Sequence, residues 1–276
     1  MSLIQRMHRI TVPADCLAIW GLGQMGIALQ GPETVVYIDP CLSNVTEERS
    51  GDFWYRAFPA PVHPDAVSNA SYVFITHEHL DHLDPITVSA IMQASPGARI
   101  ITSAWCLEIL VESGIAAERI ITVDGDTPLQ LDDIRVTAVP SAHYEPEYDA
   151  EKGYRWLGFL LEWNGVTLYH AGDTIIYPGY MERLKSLPTI DVGMVPVNGR
   201  DWYREDEEDI IGNLWPMEMA RLASDLGWDV VIPGHNDLFP NNAIPFSQIV
   251  AGLENISPRQ RYKILQPGEL YLYVKS

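Results

Sequence analysis

At 276 residues the chain is long enough to bury a sizeable core, and its 47% hydrophobic and 20% charged residues are the balance of a globular rather than a disordered protein. The formal charge of −19 excludes nucleic acid and an anionic membrane surface as partners, since both demand clustered Lys and Arg, while a local pocket for a small molecule stays open. Cys16, Cys41 and Cys106 lie far apart with no CxxC pair, MSLIQRMHRI lacks the apolar core of a signal peptide, and no run nears the ~20 apolar residues of a membrane span. A cytoplasmic protein with reduced thiols is the expectation.

The chain opens with extended segments: CLAIWGLG, GIALQ and, after the turn GPE, TVVYIDP read as short strands. SYVFI is a further strand. PITVSAIMQAS has helical spacing, with Asp84 before Pro85 as its start signal. ARIITSA then reads as a strand, WCLEILVESG as a helix stopped by Gly114, and RIITV and IRVTAVP as strands on either side of the turn DGDT. RWLGFLLEW and VTLYH pair across Asn164-Gly165, a strong hairpin signal. IDVGMVPV is a strand, PMEMARLASDLG a helix with Pro216 in its first turn, WDVVIPGH a strand, and YKILQPGELYLYV closes with two more. The acidic run REDEEDI at 204–210 is expected to be an exposed, solvated loop. Strands pair locally and then alternate with helices in both halves, with no fixed-period repeat and no linker. This predicts one α/β domain over residues 1–276, two sheets packed face to face with helices outside: a four-layer αββα sandwich.

The chemistry concentrates in THEHLDHLD, residues 76–84, directly after the strand SYVFI. In an extended or tight-loop segment residues two apart point the same way, so His77 and His79 converge on one ion, and Asp81 and His82 from the following turn serve a second. At this chain's own His and Asp frequencies HxHxDH arises by chance in roughly one sequence in two thousand, which favours a metal site over a polar turn. Three further candidates each follow a predicted strand: His143 after IRVTAVPSA, Asp173 after VTLYHAG, and His235 after WDVVIPG. His170, three residues before Asp173, is expected to face the core or support a ligand, while His63 and His8 are not expected in the site.

This arrangement closely resembles the metallo-β-lactamase-fold hydrolases. The resemblance implies that His77, His79 and His143 hold one divalent ion, that Asp81, His82 and His235 hold the other, and that Asp173 bridges them. WGLGQMGIAL, VVYIDP, ITHEHLDHLD, LYHAGDT and NGR at 198–200 are similar to the L-ascorbate-6-phosphate lactonase-like branch. The chain departs from those lactonases in being shorter and in carrying His143 where they have an acidic residue, which leaves the substrate open.

Two divalent ions sharing a water bring its pKa toward neutrality and yield a bridging hydroxide able to attack a carbonyl carbon or a phosphorus. Asp81 is expected to orient that hydroxide and pass on its proton, and Asp173 to keep the ions at their working separation, so both are candidate catalytic residues. Imidazole and carboxylate donors suit Zn or Mn, with Fe a further option. The leading expectation is a lactonase acting on a small sugar-acid lactone, phosphorylated or not. The alternatives are a phosphodiesterase of the same fold and a glyoxalase II-like thioesterase, although the thioesterase pattern continues into glycines where this chain has Leu83-Asp84-Pro85. Asn198, Gly199, Arg200 and Tyr144 are candidate substrate contacts, with Arg200 or Arg204 able to fork onto a carboxylate or phosphate. Trp54, Tyr55 and Arg56 are candidates for a pocket wall, and the lactonase-like relatives suggest a homo-oligomer.

Overall fold

The computed structural model describes residues 1–275. Its strands are β1 (Cys16–Gly23), β2 (Gly26–Gln30), β3 (Val35–Ile38), β4 (Tyr72–Ile75), β5 (Arg99–Thr102), β6 (Ile120–Thr122), β7 (Pro128–Leu131), β8 (Ile134–Pro140), β9 (Tyr148–Asp149), β10 (Gly153–Tyr154), β11 (Leu157–Trp163), β12 (Val166–His170), β13 (Val192–Pro196), β14 (Val230–Gly234), β15 (Arg261–Tyr262) and β16 (Leu270–Val274). They form two seven-stranded sheets, ordered β16-β1-β2-β3-β4-β5-β6 and β15-β14-β13-β12-β11-β8-β7, plus the small ribbon β9-β10. The two closing strands part company: β15 runs parallel to β14, whereas β16 returns to the first sheet and pairs antiparallel with β1.

Period-two alternation builds the layers. Leu17 and Ile19 of β1 and Tyr72 and Phe74 of β4 face inward, meeting Phe159 and Leu161 of β11 and Leu168 of β12 between the sheets; Phe74 and Phe159 touch edge to face at 5.1 Å. The intervening Trp20, Val73 and Ile75 face outward beneath the helices Leu3–Met7 and Pro85–Ala94. On the other side Leu160, Tyr169 and Val231 pack under the helices Tyr180–Ser186, Pro216–Asp225 and Phe246–Ile256. Helix, sheet, sheet, helix is the four-layer order. Asp84 caps the helix it precedes, its Oδ1 accepting from the Ile86 and Thr87 amides at 3.0 Å.

The acidic run is where the expectation fails. Residues Trp202–Glu207 coil into a short helix capped by Asp201, whose Oδ1 accepts from the Arg204 amide, and Ile210 beyond it is 2% exposed. Its Arg204 is the reason: the guanidinium reaches Asp201 Oδ2 at 2.7 Å and the Asn198 carbonyl at 3.0 Å, folding the segment back onto the β13 loop.

β3-β4-β5 run parallel in one sheet and β12-β13-β14 in the other, so their C-terminal ends share a rim. In sheets of this kind the crevice beyond the carboxyl ends is where ligands bind.

Candidate metal centre

Each candidate ligand leaves a strand at that rim. His77 and His79 follow β4, His143 follows β8, Asp173 follows β12 and His235 follows β14. Gly172 has φ +61°, and a Cβ there would lie 2.7 Å from the Leu157 carbonyl and 2.9 Å from the Thr76 Cβ. Only glycine lets the β12 turn pass this close under β4, and the Leu157 amide donates to the Thr76 carbonyl across the same seam. Gln24, Asp39 and His235 adopt left-handed φ of +57°, +46° and +59° without being glycine. Such conformations cost on the order of 1 kcal/mol each and gather where function constrains the backbone.

The side chains converge in two groups. His77, His79, His143 and Asp173 each bring one donor atom to within 4.8 Å of the others, and Asp81, His82 and His235 do the same beside them. Asp173 joins the groups, with Oδ1 3.2 Å from His82 Nε2 and Oδ2 3.2 Å from His235 Nε2. Asp81 Oδ2 stands 3.2 Å from His235 Nε2 and 3.5 Å from His82 Nε2. Yet Nε2 of His77, His82 and His143 and Oδ1 of Asp173 are buried without a hydrogen-bond partner. They crowd together without forming hydrogen bonds to one another. An unsatisfied buried polar atom costs about 1–3 kcal/mol, and a cation held in each group is what would relieve them. These donors, imidazoles and carboxylates with no thiolate, fit a divalent ion such as Zn, Mn or Fe.

Outer contacts set which nitrogen each imidazole presents. Asp39 Oδ2 accepts from His82 Nδ1 at 2.8 Å and from Thr76 Oγ1 at 2.7 Å, while its Oδ1 accepts from the Thr76 amide. With its proton given to Asp39, Thr76 Oγ1 is left to accept from His77 Nδ1 at 3.0 Å. His77 and His82 therefore both turn Nε2 into the centre, His82 backed directly by the Asp39 carboxylate and His77 by the Thr76 hydroxyl that Asp39 holds. Neither Asp39, within VVYIDP, nor Gln24 is singled out by the sequence alone. The Gln24 amide donates to Asp81 Oδ2 at 2.8 Å, its carbonyl accepts from the His235 amide and its own N–H donates to Asp237 Oδ1, so the β1–β2 turn clamps ligands from both sheets. His170 is buried and its Nε2 meets the Met25 carbonyl at 2.8 Å, a support rather than a ligand.

Among the protein groups alone, the electrostatics divide the imidazoles. Burial, together with the neighbouring His82 and His79, pushes His77 well below its ordinary value, and burial takes His143 down to about 4. Burial also opposes charge on His82 and His235, but Asp173 and Asp81 outweigh it, lifting His82 well above its usual range and His235 to about 9. Burial likewise works against ionised Asp81 and Asp173, and the facing His82 and His235 reverse it and hold both below the usual carboxylate range.

The centre opens onto a cavity of about 430 Å³ walled by Thr46, Ser50, Trp54, Glu78, Leu80, Asp209, Ile210, Ile211 and Asn242. The proposed substrate contacts do not lie on it. Arg200 is held by both Glu218 oxygens, at 2.7 and 2.6 Å, and by the Asn213 carbonyl. Gly199 sits against the Trp215 ring, and buried Asn198 spends its Nδ2 on Asn242 Oδ1 behind the wall. Tyr144 is 59% exposed; partial burial and the nearby Glu205, Asp209 and Asp206 raise its pKa. Of the suggested aromatic wall only Trp54 lines the cavity; Tyr55 is exposed, and Arg56 is turned to the Cys41 and Ser43 carbonyls. His63 and His8 are exposed and outside it.

Residues 34–236 match the model of the beta-lactamase superfamily domain. The probable L-ascorbate-6-phosphate lactonase UlaG of Escherichia fergusonii is 27% identical over 199 residues, covering 67% of this chain and 54% of that protein. The chain thus spans about half the length of the lactonases it matches. A UPF0173 metal-dependent hydrolase of Methanoculleus marisnigri is 27% identical over 259 residues, 90% of this chain and 93% of that one. Among solved structures, a possible metal-dependent hydrolase of Veillonella parvula shares the fold with a TM-score of 0.73 at 17% identity, covering 94% of this chain and 99% of that chain.

Proposed function

This chain belongs to the beta-lactamase superfamily as a metal-dependent hydrolase, and from that premise we propose that it opens the ester bond of a small lactone with two ions in its centre. The observation that carries the reading is the double group of inward-aimed donors, His77, His79, His143 and Asp173 beside Asp81, His82 and His235, on the floor of a small-molecule-sized cavity. His77, His79 and His143 would hold one ion, Asp81, His82 and His235 the other, and Asp173 would span both. When bound, such a pair supplies an ionised water near neutral pH and polarises the scissile oxygen.

The protein's own groups do the positioning. Asp81 orients the attacking water and carries its proton on a carboxylate oxygen at the cavity floor. The water oxygen bonds to the lactone carbonyl carbon, the ring C–O bond breaks, and that proton passes to the released alkoxide oxygen to make the new hydroxyl. Asp173 and Asp39 hold the imidazoles while this happens. A lactone suits the cavity better than a polyanionic backbone, because the walls are short, partly apolar and include the acid Asp209. A small-molecule substrate in the cytoplasm is part of the same proposal, which needs no nucleic acid; among the described residues no helix is long and apolar enough to cross a membrane.

The test is turnover of aliphatic and sugar lactones against a generic phosphodiester and a thioester, with Mn or Zn restored. Lactone hydrolysis that disappears in His77→Ala and Asp173→Ala supports the reading. Turnover of the phosphodiester alone moves the function to a phosphodiesterase, and turnover of the thioester alone to a thioesterase.

A further inference from the structure

We infer that the cavity takes an uncharged, hydroxyl-bearing ring and discriminates against an anionic one, phosphorylated lactones included. This rests on the hydrolase reading above and names its substrate class.

Phosphate and carboxylate groups are normally recognised by Arg or Lys, most often by a bidentate guanidinium. Among the described residues no Lys or Arg lines the cavity. Of the arginines in the neighbouring segments, Arg49 is exposed on a separate surface depression, and Arg56, Arg155, Arg200 and Arg204 have protein partners. Arg56 donates to the Cys41 carbonyl at 2.9 Å, Arg155 lies between Glu78 and Glu147 and over the Trp156 ring, Arg200 forks onto Glu218, and Arg204 is tied to Asp201 and the Asn198 carbonyl. Arg56 engages only its Nη1 and keeps a buried Nε and Nη2 without partners, while turning Arg155, Arg200 or Arg204 toward a ligand would strand a carboxylate. Away from the donors that would hold the ions, the formal charge the wall offers is instead negative. Glu78 is matched by Arg155, but Asp209 makes no ion pair among the described residues and so stands as a lone carboxylate facing any anion that enters.

What the wall presents for recognition is neutral. Thr46 lines the cavity, and its buried Oγ1 has no hydrogen-bond partner among the described residues. Asn242 Oδ1 accepts from Asn198 Nδ2 at 2.7 Å and from Arg204 at 3.3 Å, so two donors on one atom fix the amide orientation and leave its NH2 group for the cavity. Trp54 and Ile210 add apolar lining of the kind that covers the apolar side of a sugar.

The experiment measures binding separately from turnover. Metal-loaded protein is titrated calorimetrically with δ-gluconolactam, a non-hydrolysable neutral ring, with its 6-phosphate, and with unsubstituted δ-valerolactam. Neutral gluconolactam is expected to bind at least tenfold tighter than its 6-phosphate. In Asp209→Asn, which keeps a residue tolerant of the left-handed φ of +53° at that position, the ratio should shift threefold or more toward the phosphate. In Thr46→Val the preference for gluconolactam over valerolactam should fall about tenfold. Equal or tighter binding of the phosphate, or no binding of the neutral gluconolactam, overturns the inference whatever the turnover data show. Loss of the lactonase reading would appear separately, as absence of lactone hydrolysis in protein that still prefers the neutral lactam.

Discussion

Asp39→Asn isolates the support of a ligand from the ligand itself. Asp39 is fully buried and accepts three hydrogen bonds, from His82 Nδ1 at 2.8 Å, Thr76 Oγ1 at 2.7 Å and the Thr76 amide at 2.8 Å. Asparagine has the same shape and tolerates the left-handed φ of +46°, so the backbone is undisturbed. Its amide can match only one side. If the oxygen stays with the Thr76 amide, the NH2 group confronts two donors; if it flips, the Thr76 amide confronts a donor. His82 then does best by accepting at Nδ1, which moves its proton to Nε2 and aims it where the ion should sit. A lost charge-assisted hydrogen bond is worth about 1.5–3 kcal/mol, which at ~1.4 kcal/mol per decade is roughly 10- to 150-fold in ion affinity, in line with the 10- to 100-fold typical of metal-supporting residues. The assay is calorimetric titration of metal-stripped protein with Mn²⁺ or Zn²⁺, with the melting temperature of the stripped protein as a folding control. Full affinity for both ions in a folded variant would refute the tautomer argument.

Gln24→Leu removes the 2.8 Å contact to Asp81 while leaving the backbone contacts of residue 24 in place, so the ion count at micromolar metal should fall from two toward one per chain; an unchanged count contradicts the clamp. Arg200→Ala should lower stability by about 1 kcal/mol or less, since the Glu218 pair is part-exposed, and change lactone kcat/KM by under twofold, whereas a tenfold loss would return Arg200 to the substrate. Burial pushes Cys106 up to about 12 and Cys41 higher still, so neither should be alkylated by iodoacetamide at pH 8 in the folded protein, where about one Cys106 in ten thousand is thiolate. The sign follows: because the folded pKa is raised, the contribution of Cys106 to stability is complete below about pH 9 and lost as pH climbs toward 12. Rapid labelling at pH 8 would show the site is open.

Most of the architecture was legible because these strands carry strong local signals: β11 and β12 join at Asn164-Gly165, both in left-handed backbone, and the helix after Asp84 starts at that cap. The helices Tyr180–Ser186 and Phe246–Ile256 were not, since their apolar faces gain meaning only against the second sheet. The candidate ligands were readable for a similar reason, each being a His or Asp stationed just past a strand. The cavity wall was not. Thr46, Asp209 and Asn242 come from three segments distant in sequence, and nothing local distinguishes a threonine with an unsatisfied buried hydroxyl from any other. Arg200 shows the converse error: beside an acidic run it looked available, but the carboxylate that claims it is Glu218, one helix later.

The most direct test of the central claim is ion stoichiometry by plasma mass spectrometry, on wild-type protein stripped and reloaded with Mn²⁺ or Zn²⁺ and on Asp173→Ala treated alike. Convergence of the seven residues predicts close to two ions per chain in the wild type and one or fewer in Asp173→Ala. No ion retained by the wild type, or two retained without Asp173, would contradict it.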